Sequence, residues 1–276
     1  MKRKISLLAF DLDGTLLNSS LEISEFTLSQ IRSIVEKKIK VTICSGRVPA
    51  LQELYLKQLS LDGPYVACNG ALIPHRGNAD LFAKPLNTKE VEKLYHFFKA
   101  EKLHACFQTR DEIYFSDNNP RQWLVKRYNL LAGERGLPQA PMEELPALFD
   151  HKAVVYKAMV YAPEKEQFEK VRSFLERETE IAYTFSEKGL FDLISPGIDK
   201  GFGIKKIADY YGIPYEEVCA FGDHDNDIPF FQAVGTSVAM GNAVPHLKAI
   251  ATFVTDSNDR DGVGKAIQRL AVYFGE

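Results

Sequence analysis

The chain has 276 residues, 45% hydrophobic, 26% charged and 11% aromatic, with a formal net charge of -3. Its length exceeds one average domain, and its composition is that of a soluble globular protein with a core to bury, which excludes a largely disordered chain. The near-neutral charge gives no electrostatic case for a nucleic-acid or acidic-membrane partner.

The first residues, MKRKISLLAFDLDG, are basic and then apolar like a signal peptide, but Asp11 interrupts the apolar run after about six residues. No stretch approaches the roughly 20 apolar residues of a membrane span, so a cytoplasmic protein with no membrane partner is expected. ISLLAF (5–10) reads as a buried strand, Ser24 to Lys38 as an amphipathic helix with Ser24 as its cap, and KVTIC (40–44) as a second strand. A helix from about Pro49 and a third strand YVAC (65–68) follow. Strands apolar on both faces and separated by helices predict a parallel sheet covered on both sides, with ligands beyond the carboxyl ends of its strands.

From residue 84 to 196 the texture changes to strand pairs and helices. TKEVEKLYHFFKAEK, HACFQT, EIYFS, AVVYKAMVY and PEKEQFEKVRSFLERE are followed by IAYTFS and LFDLIS around a Glu-Lys-Gly turn. The βα rhythm then resumes with a helix from Asp199 to Tyr211 stopped by Gly212, a strand VCAF (218–221), a helix to Val234, TSVAM (236–240), TFV (252–254) and a terminal helix. The fold class expected is therefore α/β: a doubly wound parallel-sheet core, residues 1–83 and 197–276, carrying an inserted α+β domain, residues 84–196, on short hinges near Lys84 and Pro196. The four cysteines, at 44, 68, 106 and 219, form no C-x-x-C and read as buried reduced thiols.

The strongest chemical signal is Asp11-Leu12-Asp13-Gly14-Thr15 immediately after the first strand. Two carboxylates one residue apart at a strand end can converge on a metal, one by its side chain and one partly by its backbone, while Gly14 permits the tight exit. A solvated turn would explain D-x-D alone, but not its neighbours. Phe221-Gly222-Asp223-His224-Asp225-Asn226-Asp227 follows another apolar strand. With the two strands side by side, Asp223 would face Asp11 and Asp13, a carboxylate density that calls for a divalent cation, and oxygen-only ligands favour magnesium. His224 reads as a loop-wall or cap-facing residue and Asp225 as a solvent-facing acid. The other five histidines have no ligand spacing among them. Ser45-Gly46-Arg47 after the second strand and Lys200-Gly201 at a helix start complete the set; each alone is weak, and the four together are not.

This combination resembles the haloacid dehalogenase-like superfamily, and within it the Cof-type phosphatases with a C2B-type cap. The resemblance covers the whole chain, through Asp11 and Asp13, Ser45, Lys200, and Gly222 to Asp227, with Asn69-Gly70, Gly241-Asn242 and Asp261-Gly262-Val263 also family-like. Ile228-Pro229-Phe230 and Asp199 depart from the family's habit without removing a motif residue. The resemblance implies a Rossmann-like core and a cap that decides the substrate. It implies that Asp11 attacks phosphorus to give an aspartyl-phosphate and that Asp13 acts as general acid and base. Magnesium would be held by Asp11, Asp13 and Asp223, and the phosphoryl oxygens by Ser45, Lys200, Asn226 and the backbone N-H groups of Leu12 and Gly46. Asp227 would orient Lys200 or a metal-bound water. Arg47 fits a substrate contact or a structural ion pair equally, and Asn69 is a further candidate contact. Arg110, Asp111, Tyr114, Trp123 and Lys188 are the cap residues that could face the site, though surface or packing roles explain each as well. The partner implied is a small phosphate ester: a sugar phosphate first, with pyridoxal phosphate or flavin mononucleotide as alternatives. A phosphosugar mutase and a catalytically weak phospho-ligand sensor are the competing readings, and the sequence leaves a monomer and a small homo-oligomer both open.

Overall fold

The computed structural model describes residues 4–274. Strand β1 (Leu7–Phe10) is buried throughout and leads to helix α1 (Glu25–Glu36), whose Ser24 cap accepts from the Thr27 N-H at 3.1 Å. Strand β2 (Lys40–Ile43) follows, and then the helix expected from Pro49 appears as a 3-10 turn, Pro49–Leu51, and a short α2 (Glu53–Gln58). The expected strand YVAC is reduced to single bridges, Val66 to Cys44 and Ala67 to Leu72, because the chain turns at once through left-handed Cys68 and Asn69 (φ 51 and 54). A small hairpin of β3 (Leu72–Ile73) and β4 (Phe82–Ala83) ends this stretch.

The inserted segment runs through α3 (Thr88–Ala100), β5 (His104–Gln108), β6 (Ile113–Phe115), α4 (Gln122–Glu134), β7 (Met142–Glu144), α5 (Ala147–Asp150), β8 (Lys157–Tyr161), α6 (Lys165–Glu178), β9 (Ala182–Glu187) and β10 (Leu190–Ile194). The chain then completes the core with α7 (Lys200–Tyr211), β11 (Val218–Gly222), α8 (Ile228–Gln232), β12 (Thr236–Ala239), α9 (Pro245–Ile250), β13 (Phe253–Val254) and α10 (Gly262–Leu270). Gly212, at φ 64, stops α7 as its position after the last periodic residue predicts.

The core sheet has five parallel strands in the order β13-β12-β11-β1-β2. From β1 the chain winds first to β2 and later to β11 on the other side, so the reversal of strand order lies at β1, where a doubly wound sheet opens its ligand crevice. Phe10 and Phe221 are register partners with ring centroids 4.8 Å apart, an aromatic contact worth about 0.5–1.5 kcal/mol beyond its area. That register brings the residues after each strand, Asp11 and Asp223, to the same end of the sheet.

The cap sheet has six strands in the order β7-β6-β5-β8-β10-β9 and divides its residues by the two-residue period of a strand. Phe107, Tyr114, Ala158, Val160, Phe191 and Leu193 face a separate apolar core completed by α3 and α6. Cys106, Ile113, Phe115 and Met159 belong instead to the cluster that continues into the main core through Val125 and Tyr128 of α4. Helix α4 has no counterpart among the elements expected from sequence; its buried Val125, Tyr128, Leu131 and Ala132 keep a helical period, but apolar Trp123 and Leu130 on the exposed face blur it. All four cysteines are buried and unbridged.

Candidate active site

Asp11 leaves β1 with its backbone N-H still bonded to Phe221 at 3.0 Å, which fixes the side chain at the sheet's carboxyl edge. Lys200, fully buried at the first turn of α7, places its Nζ 2.8 Å from Asp11 Oδ1 and 2.6 Å from Asp227 Oδ1. Asp199, the residue before it, accepts from the Phe202 N-H at 2.7 Å and so caps the helix that carries the lysine. Asp227 spends its other oxygen on the backbone N-H groups of Asp223 (2.9 Å) and His224 (3.2 Å).

Carboxylate oxygens of Asp11, Asp223 and Asp227 lie within 4.8 Å of one another. Asp223 accepts from the Thr15 hydroxyl at 2.8 Å and, among the described residues, pairs with no lysine or arginine. Burial, then the neighbouring Asp11 and Asp227 charges, push its carboxyl well above the ordinary range. Burial also raises Asp11, to about 7, although Lys200 pulls the other way. The oxygen-only donor set and the excess of negative charge fit a hard divalent cation. Gly14 makes the crowding possible: at φ +73, a Cβ added there would stand 2.3 Å from Asp223 Oδ2.

The Asp13 side chain points elsewhere. Arg47 grips it with two hydrogen bonds, Nε to Oδ2 at 2.8 Å and Nη2 to Oδ1 at 2.6 Å. Burial alone would raise the Asp13 carboxyl, but the guanidinium outweighs it and holds the group below its usual value. Arg47 also reaches the Tyr55 hydroxyl at 3.4 Å, and Tyr55 meets Tyr128 of α4 edge-on, so the arginine is braced by the cap. Arg47 thus makes an ion pair with Asp13 and also lines the cavity beneath the cap.

A cavity of about 240 Å³ opens over Asp11, Asp13, Ser45, Gly46, Arg47 and Asn226 and is roofed by the cap. Leu12, Lys200, Asp223 and Asp227 lie outside its lining. Asn69 lies outside it too, its amide donating to Asp192 of β10 at 3.1 Å and accepting from Asn226 at 3.3 Å. Of the cap residues singled out from sequence, Trp123 lines the cavity. Tyr114 points into the cap's own core, one residue out of phase with Ile113 and Phe115, and Arg110 pairs with Asp80 at 2.5 Å. His224 faces the cap as expected, its Nδ1 at 3.2 Å from the Phe185 carbonyl, and Asp225 pairs with exposed His246.

Sequence reasoning missed Gln108, Arg121, Lys157 and Thr15. Lys157 is 3% exposed, 2.8 Å from fully buried Asp192, and donates to the Gly46 carbonyl at 3.0 Å, tying cap to core at the wall of the same cavity as Asp11. The signal for this pair was present: a charge inside each of the apolar runs AVVYKAMVY and LFDLIS is costly unless partnered. The family-like residues near the C-terminus are structural: Asn242 holds the Gly14 carbonyl at 2.8 Å, and Asp261 accepts from Ser24 at 2.5 Å.

A family model described as haloacid dehalogenase-like hydrolase matches residues 8–267, and the chain belongs to that family. It is 30% identical over 275 residues to the 5-amino-6-(5-phospho-D-ribitylamino)uracil phosphatase YitU of Bacillus subtilis, covering 97% of this chain and 98% of that one. A second phosphatase of the same description from that organism, YwtE, is 28% identical over 95% of this chain and 97% of its own. Among solved structures, a haloacid dehalogenase-like hydrolase from Bacteroides thetaiotaomicron superposes with a TM-score of 0.82 at 28% identity, covering 97% of this chain and all of that one. This chain is a phosphoric monoester hydrolase with the α/β core and cap of that family. No helix among the described residues is long and apolar enough to cross a membrane.

Proposed function

We propose that the enzyme is a magnesium-dependent, cytoplasmic phosphatase that hydrolyses small phosphorylated metabolites through an aspartyl-phosphate on Asp11. The observation that supports this most is the buried placement of Asp11 at the cavity floor, held by Lys200 on one side and neighbouring the unpaired Asp223 on the other. Asp11 and Asp223, with the Asp13 backbone carbonyl, would hold Mg²⁺, which when bound supplies positive charge against the repulsion between nucleophile and phosphoryl dianion. Lys200 aims Asp11 and opposes the burial that would keep it protonated. The Asp11 carboxylate forms the new O-P bond as the alcohol leaves, and water then breaks the acyl phosphate to release inorganic phosphate. Ser45, Asn226 and the N-H groups of Leu12 and Gly46 hold the equatorial oxygens.

Asp13, held ionised by Arg47, is in the form that takes a proton from the attacking water. To protonate the leaving alcohol in the first step, Asp13, already at the cavity wall, has to take up a proton and loosen its hold on Arg47. Sugar phosphates lead as substrates on the family resemblance, with pyridoxal phosphate and flavin mononucleotide behind them; the relatives' phosphorylated ribitylaminouracil joins the panel. Asp11→Asn is expected to cut magnesium-dependent phosphate release by about 10³-fold or more on any ester turned over. Equal release by both proteins would defeat the nucleophile assignment and revive the sensor reading, while retention of the phosphoryl group on a sugar would favour the mutase.

A further inference from the structure

The phosphatase reading leaves the alcohol half of the substrate open, and the cavity wall restricts it. Three lysine or arginine side chains line the cavity, and each already has a carboxylate: Arg47 grips Asp13, Arg121 pairs with Glu187, and Lys157 pairs with Asp192. No cation is left over for a second anionic group on the ligand. An acid in the leaving group would have to displace a carboxylate that is already paired, fully buried Asp192 in the case of Lys157, or sit unpaired itself. Both are unfavourable beneath a closed cap.

The roof is apolar where the cap sheet and α4 meet, through Ile113, Phe115, Val125 and Met159. Beside it Gln108 has unused hydrogen-bonding capacity. Gln108 is 6% exposed; its Nε2 meets only the sulfurs of Met159 (3.1 Å) and Cys106 (3.9 Å), and its Oε1 has no partner. A buried amide oxygen left without a donor is unfavourable, and a small turn of the Gln108 side chain, which lines the cavity, would bring that oxygen to a ligand N-H or O-H.

Resting on the phosphatase reading, we propose that the enzyme selects phosphate monoesters whose leaving group is uncharged, lays an apolar face against this roof and gives one hydrogen bond to Gln108. Gln108 is then a specificity residue, and esters bearing a second phosphate or a carboxylate are poor substrates.

Three esters of one alcohol framework test this: benzyl phosphate, 3-(hydroxymethyl)benzyl phosphate and 3-carboxybenzyl phosphate, with p-nitrophenyl phosphate as the general probe. With magnesium, kcat/KM for the hydroxymethyl ester is expected to exceed that for the carboxy ester by about tenfold or more. Gln108→Leu should lower kcat/KM for the hydroxymethyl ester about fivefold more than for benzyl phosphate, with the loss mainly in KM. Gln108→Met, with similar length and no amide, should repeat that change in preference and guards against a folding defect in the first variant. A carboxy ester turned over as well as the hydroxymethyl ester, or an unchanged preference in both variants, overturns the proposal while leaving the phosphatase standing. Silence on all four esters from a protein that hydrolyses a metabolite of the panel overturns this proposal alone, and silence on those metabolites as well removes the proposed aspartyl-phosphate mechanism with it.

Discussion

Asp11 and Asp223 carry opposing demands: burial asks them to take up protons, and catalysis asks them to be ionised. With Asp11 raised from 3.8 to about 7 in the folded, metal-free protein, the folded state holds a proton that the unfolded chain has released between those values. Stability of the metal-free enzyme therefore falls as pH rises through that window, and Asp223, raised in the same direction, adds to the slope. Magnesium reverses the balance, because its ligands must be deprotonated. The increase in melting temperature on adding millimolar magnesium should grow from about pH 6 to about pH 8, and a shift independent of pH would contradict the coupling. Arg47 offers a second residue-scale test. Arg47→Lys keeps the charge but loses the two-pronged grip on Asp13. Turnover of alkyl phosphates, whose leaving oxygen needs a proton, should fall about tenfold more than turnover of p-nitrophenyl phosphate, whose leaving group does not. Equal losses on both would mean that Arg47 serves only packing.

Elements meet at the site with little tolerance. Gly70 adopts φ +99, and a Cβ there would approach the Asp199 carbonyl at 2.3 Å, where the turn after Val66 packs against the start of α7. Gly70→Ala should push α7 back, carrying Lys200 with it, and destabilise the protein by about 1–3 kcal/mol, measured by urea unfolding, with a parallel loss of activity. The Asn69-Gly70 pair stood out in the sequence, but its reason is one of packing: Asn69 joins Asp192 of the cap to Asn226 of the core. Tyr114 makes the reverse point. Its type suggested a cap contact, whereas strand parity, legible from Ile113 and Phe115 on either side, sends it to the far face.

At the scale of the whole molecule, the cap is tied to the core through Lys157, which binds Asp192 in its own sheet and the Gly46 carbonyl in the core loop after β2. Lys157→Met leaves Asp192 charged and buried without its partner, at a cost of about 3–5 kcal/mol, and should raise KM as the cap loosens. Adding Asp192→Leu should recover most of the stability but not the KM; stability that stays low in the double variant would mean the pair is not what holds the two sheets. Much of this architecture was legible in the chain. The motif residues follow the strands that present them, because a buried strand tolerates no acid until it ends, so Asp11, Asp223 and Ser45 were found by position as well as by type. Capping by Ser24 and Asp199 and the stop at Gly212 are local physics, and the sequence carried them. What it did not carry was partnership across distance: that Arg47 would close on Asp13, that Lys157 would meet Asp192, and that α4 would roof the cavity. The order of acids and apolar runs, a local pattern, determined the family and the fold and pointed to the proposed reacting groups. Which charges neutralise one another inside the cavity, and hence what the cap admits, depends on side chains far apart in the chain, and only the tertiary structure decided it.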